Sequence, residues 1–152
     1  MRAWAVWEAD PDRRRVGSER AKGFAWGYWS DVTHWDDPPA QFHLNGPFVS
    51  GSRGTTLQED REPIQWRLRD VQAGGSYTIE TELDGAILLC QWFFEALPDG
   101  RTNLRQRIGV AGPSAEQHAE TIRQGFGPTL PEGMKRIAAR LAEAEAAREG
   151  AG

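Results

Sequence analysis

The chain has a single cysteine, Cys90, among its 152 residues. One thiol cannot close a disulfide within the chain, and a zinc site built on several cysteines is excluded with it. Long apolar runs are missing as well. A bilayer-spanning helix needs about 20 consecutive, mostly apolar residues, and no stretch approaches that. The opening residues, Met1-Arg2-Ala3-Trp4, lack the apolar run of a secretory signal, so a cytoplasmic protein is the expectation. Net charge is small, -4. A mildly acidic chain gives no electrostatic ground for a nucleic-acid or anionic-membrane partner. The run Arg13-Arg14-Arg15 sits among Asp10, Asp12 and Glu19 and reads as a solvated loop. His34, His43 and His118 stand far apart with no metal-ligand spacing, so no metal is expected. Gly46–Gly54 lacks the Gly-Lys-Ser/Thr ending of a phosphate loop. No cofactor is expected, and the glycines are read as a mobile edge beside a cavity.

Tryptophan, by contrast, is plentiful: the chain has seven. Each offers a broad apolar wall with one polar handle. The length fits one domain over residues 1–152, with 1–17 an irregular first strand or partly disordered and 148–152 a frayed tail.

Periodicity then places the elements. Residues 3–9 form a candidate first strand. From Ser18, Ala21, Phe24, Ala25 and Trp29 share one helical face, and a second short turn over Asp31 to Asp37 stops at Pro38-Pro39. Asn45-Gly46 is a two-residue hairpin signal. Turn residues at Gly74-Gly75, Asp84-Gly85 and Pro98-Asp99-Gly100 separate strands over 64–72, 76–83, 86–97 and 101–111. Short turns make this an antiparallel meander. Ser114-x-x-Gln117 then opens a long C-terminal helix, whose apolar stripe runs through Ala115, His118, Ile122 and Phe126 to Met134, Ile137 and Leu141. A kink or break is predicted at Gly125-Phe126-Gly127-Pro128.

Side chains alternate between the two faces of a strand, so faces can be followed through each turn. The Asp84-Gly85 turn sets Tyr77 opposite Trp92, and the Asp99 turn sets Trp92 opposite Gln106. One face then carries Trp66, Leu68, Tyr77, Ile79, Thr81, Cys90, Trp92, Phe94, Gln106 and Ile108. The other carries Arg67, Glu80, Glu82, Gln91, Arg105 and Arg107. The hairpins agree on one register.

The motifs resemble those of the START-like, Bet v 1-like (SRPBCC) superfamily. Trp29-Ser30-Asp31-Val32-Thr33-His34-Trp35 resembles its W-x-D-V-x-x-W signature. Asn45-Gly46-Pro47-Phe48 with Gly51–Gly54 resembles the next segment, and Leu97-Pro98-Asp99-Gly100-Arg101-Thr102 the penultimate hairpin. Gly112-Pro113 resembles the boundary before the last helix. The similarity is nearest to the polyketide cyclase/dehydrase-like branch and covers roughly residues 24–147. It implies an α+β helix-grip fold: a curved antiparallel β-sheet wrapped around a long C-terminal α-helix, with two short helices after the first strand. It also implies a cavity between sheet and helix.

The residues expected to line that cavity are Trp66, Tyr77, Ile79, Thr81, Trp92, Phe94, Gln106, His118, Ile122 and Phe126. Their mixture of aromatic walls and a few polar groups suits a small hydrophobic or aromatic, lipid- or polyketide-like molecule. The same side chains can instead fill the core, with Tyr77 bonded to Gln106. A cyclase or dehydratase is the second reading. It needs a positioned acid or base, and the expected interior offers no carboxylate unless a one-residue slip brings in Glu80, Glu82, Arg105 and Arg107. A third reading is an interaction module or homodimer through Ile87, Leu89 and Phe93, apolar residues on the outer face. The outer pair Arg67–Glu80 is read as an ordinary solvated cross-strand pair.

Overall fold

In the computed structural model, residues 2–9, 26–35, 40–96, 102–126 and 130–151 are described. The strands are β1 (Arg2–Ala9), β2 (Gln41–Asn45), β3 (Arg53–Leu57), β4 (Ile64–Gln72), β5 (Ser76–Leu83), β6 (Ala86–Ala96) and β7 (Thr102–Ala111). They form a single antiparallel sheet in the order β1-β7-β6-β5-β4-β3-β2. Residues 26–29 are helical and lead to a 3-10 turn over Val32–His34. After the sheet come α1 (Ala115–Phe126) and α2 (Leu130–Ala151). The sheet is curved and the architecture is the helix-grip fold.

The meander forms where the turn residues place it. Tyr77 pairs with Trp92 and Trp92 with Gln106; Leu83 pairs with Ala86 across the Asp84-Gly85 turn. The first strand, irregular by sequence, pairs with β7 along its whole length, from Arg2 against Ala111 to Ala9 against Leu104.

The break expected in the C-terminal stripe is present: α1 ends at Phe126 and α2 begins at Leu130. Two features differ from the sequence reading. The β2–β3 connection is no two-residue hairpin, because β3 begins only at Arg53. Pro47 follows Gly46 and has no N–H to offer the ladder; its carbonyl instead accepts from Val49 N at 2.9 Å and from Ser52 Oγ at 2.6 Å. The loop so formed is pinned to β4. Gly51 N donates to Leu68 O (2.8 Å), Leu68 N to Ser52 O (2.9 Å) and Val71 N to Ser50 Oγ (2.9 Å), so this edge is tied down rather than free. Second, β4 carries a bulge between Arg69 and Gln72, with Asp70 at φ 50°. Aspartate is among the few non-glycine residues that adopt this left-handed conformation.

Two apolar clusters result. The larger lies on the inner sheet face around Trp29, Trp35, Trp66, Tyr77, Trp92 and Phe94, closed by Met134 and Leu141 of α2. The smaller joins Ala86, Val110 and Ala115, with Leu83, Ala119 and Ile122 packed against it. Among the described residues, no helix is long and apolar enough to cross a membrane.

Candidate functional site

The site is built around Tyr77. Alternation along β5 turns its ring to the inner face, where it is 2% exposed. Trp92 on β6 lies beside it, ring centroids 6.3 Å apart and planes 12° from parallel. Trp35 also lies close to parallel with it, at 6.2 Å and 8°. Phe48 and Trp26 meet the Tyr77 ring edge-on at 5.0 and 5.9 Å. Offset and edge-to-face pairs are the favoured aromatic geometries.

Specific contacts fix the walls. Trp35 Nε1 donates to the Trp29 carbonyl at 2.7 Å, which holds the two ends of the Trp29–Trp35 segment together. Trp66 Nε1 donates to Thr56 Oγ1 at 3.0 Å, and its indole lies flat over Gly54. A Cβ on Gly54 would fall 2.2 Å from the ring, so only glycine admits this approach.

Two polar atoms in this box are buried and, among the described residues, have no hydrogen-bond partner: the Tyr77 hydroxyl and Trp29 Nε1. Burial drives the phenol pKa well above its ordinary 10.0. The Trp29 indole is near enough to oppose that rise, yet outside hydrogen-bond geometry. The core-filling reading paired Tyr77 with Gln106. Gln106 Nε2 instead donates to Cys90 Sγ at 2.9 Å. Burial pushes the Cys90 thiol up to about 11, with the Gln106 bond opposing.

The residues expected to line one cavity therefore separate. Trp66, Tyr77, Trp92 and Phe94 meet in the large cluster, and Ile79 packs against it. On the same inner face, Gln106 sits opposite Trp92 and beside Cys90, which packs against that cluster, and Thr81 is half-buried opposite Trp66. Ile122 packs in the smaller cluster instead. His118 Nε2 donates to the Asp84 carbonyl at 2.8 Å and fastens α1 to the β5–β6 turn, away from the aromatic box. The side chain of Phe126 lies outside the described residues. Sequence reasoning missed Trp26, Trp29, Trp35, Phe42 and Phe48, which wall the box from segments before β3. Their signal was present in the Trp29–Trp35 signature and in the Phe42/Leu44 alternation.

On the outer face, Glu80 accepts from Arg67 Nη2 at 2.8 Å and from Arg69 Nη1. This is no solvated pair: Glu80 is 7% exposed beneath its two guanidinium groups. Burial alone would raise the carboxyl pKa; the bonds from Arg67 and Arg69 outweigh it and hold the group below its ordinary value. The slip that would bring the charged row inside is not realised. Ile87, Leu89 and Phe93 are half-buried, and the Phe93 ring is covered by Arg105 and Arg107, whose guanidinium carbons lie 5.3 and 5.8 Å from its centroid. Among the described residues no group of three or more His, Cys, Asp or Glu could hold a metal ion.

No protein-family model matches the chain, and no curated protein matches it. Solved structures do. A norcoclaurine synthase point mutant from Thalictrum flavum, in complex with a transition-state analogue, gives a TM-score of 0.66 at 9% identity, covering 95% of this chain and 97% of that one. A Mesorhizobium loti protein gives 0.60 at 12% identity over 91% and 98%. The di-domain ARO/CYC StfQ from the steffimycin biosynthetic pathway gives 0.66 at 12% identity, covering 97% of this chain but 52% of that one. The likeness is one of fold: these strands and helices are arranged as in the Bet v 1-like fold.

Proposed function

We propose that the chain binds a small hydrophobic or aromatic molecule between the inner sheet face and the C-terminal helices, against Trp66, Tyr77, Trp92 and Phe94. The observation that carries this is the pair of buried, unpartnered polar atoms in an aromatic box. A core that merely fills space gains nothing from a buried hydroxyl and indole N–H without partners, and leaving them unmade costs about 1–3 kcal/mol each. The fold likeness supports the same reading, since a Thalictrum flavum norcoclaurine synthase structure holds dopamine and hydroxybenzaldehyde. Binding is favoured over turnover. The charged rows face outward, and a phenol with a raised pKa is a hydrogen-bond donor, not a base, near neutral pH.

The test is a ligand screen by native mass spectrometry and tryptophan fluorescence over fatty acids, flavonoids and aromatic polyketides, with Trp92→Ala and Gln106→Ala as controls. Saturable binding that Trp92→Ala weakens while the fold is kept supports the reading. Absence of binding across the panel, with variants that lose only stability, assigns the box to the core.

A further inference from the structure

The two unpartnered groups also constrain what the ligand must be. We infer that the bound molecule is uncharged and carries a carbonyl-type oxygen, set on a flat apolar ring system, that accepts from both the Tyr77 hydroxyl and Trp29 Nε1–H. The inference rests on reading the aromatic box as a ligand site.

The chemistry of the donors leads there. An indole N–H can donate and cannot accept. The Tyr77 phenol is held protonated by its burial, so it too has a proton to offer. Trp29 and Tyr77 both pack against Trp35 and Trp92, which puts the two donors in the same box. A carbonyl oxygen has two lone pairs and can take both donors at once.

Charge narrows the class further. Among the described residues, the one buried charged side chain is Glu80, and it lies on the outer face. A carboxylate ligand would enter the box with no counter-ion, and a buried unpaired charge is costly. Aromatic faces do attract cations. Here, however, an ammonium would meet the indole N–H by its positive end, and among the described residues no buried carboxylate faces the box to balance its charge. The Tyr77 plane lies 8° from that of Trp35 and 12° from that of Trp92, a flat-walled setting that suits a flat ligand.

The experiment uses one tricyclic skeleton with four substituents at one carbon: fluorene, 9-fluorenone, fluorene-9-carboxylate and 9-aminofluorene. Dissociation constants come from equilibrium dialysis at neutral pH. Fluorenone is expected to bind about tenfold more tightly than fluorene, the yield of one to two net hydrogen bonds. The carboxylate and the amine are expected to bind more weakly than fluorene. In Tyr77→Phe, which removes a single oxygen, and in Trp29→Phe, the fluorenone-to-fluorene ratio should fall toward one. A wild-type ratio near one, tightest binding by either charged probe, or a ratio unmoved by both substitutions overturns the inference and leaves a hydrophobic site standing. The first of these is the outcome if a bridging water satisfies the two donors. Failure of all four probes to bind the wild-type chain removes the ligand site itself.

Discussion

The Trp66 indole lies flat against Gly54, so close that a methyl group on Gly54 would overlap the ring at 2.2 Å. The indole cannot simply swing aside, because it is 5% exposed and its Nε1 is bonded to Thr56. Gly54→Ala is therefore expected to destabilise the protein by about 2–3 kcal/mol, the scale of core overpacking. Urea denaturation reads the effect, and pairing it with Trp66→Leu in a double-mutant cycle should recover part of the loss. Additive single effects would mean that the two residues do not clash.

Tyr77→Phe should act in the opposite direction. It deletes a buried hydroxyl that has no partner among the described residues while keeping the ring and its stacking. An increase in stability of about 1 kcal/mol is expected in the free protein. A decrease of that size would show that the hydroxyl is bonded in solution. Stability gained at the expense of binding is a common trade at functional sites.

Acid sensitivity should trace to Glu80. Burial tends to raise its carboxyl pKa, but Arg67 and Arg69 hold it below the ordinary 4.5. A depressed folded-state pKa contributes stability that is fully present above 4.5 and is lost as pH falls from there through the depressed value. Glu80→Gln should cost about 1 kcal/mol at pH 7, because both arginines are half-exposed and solvent screens the pair. The cost should shrink toward zero as the pH is lowered past 4.5, in thermal melts of both proteins. A difference that stays constant across that range would assign it to packing.

Cys90 should be inert in the folded chain. With its thiol pushed up to about 11, little thiolate exists at pH 8, and alkylation by iodoacetamide should run roughly a hundredfold slower than for a free thiol. Mass spectrometry with and without urea separates the two states. Rapid labelling of the folded protein would mean that the Gln106–Cys90 side of the box opens readily.

The sheet was legible in the sequence because its turns carry their own phase. Asp84-Gly85 fixes Leu83 against Ala86, and every residue of β5 and β6 then has only one face available. The Tyr77–Trp92–Gln106 row follows from that alone. The bulge at Asp70 was not legible, since nothing local marks an aspartate inside a strand as left-handed. Nor was the place where the helical stripe docks. Its spacing puts His118 and Ile122 on one face, but only the packing of α1 on β1, β6 and β7 decides that this face lies away from Tyr77. Trp26 and Trp35 reach Tyr77, and Trp29 reaches Trp92, through tertiary packing that no periodicity encodes.

The pairing of β1 with β7 also sets an order of events in folding. Strands β4 to β7 join through short turns, so each pairing closes a small loop. β1 can be added only by closing a loop that spans most of the chain, from Ala9 to Leu104. Closure entropy grows with loop length, so β1 is expected to be the last strand to dock. The same asymmetry makes it the first to peel away. Native-state hydrogen exchange should find the amides of β1 opening well before those of β5 and β6, with the rest of the sheet intact.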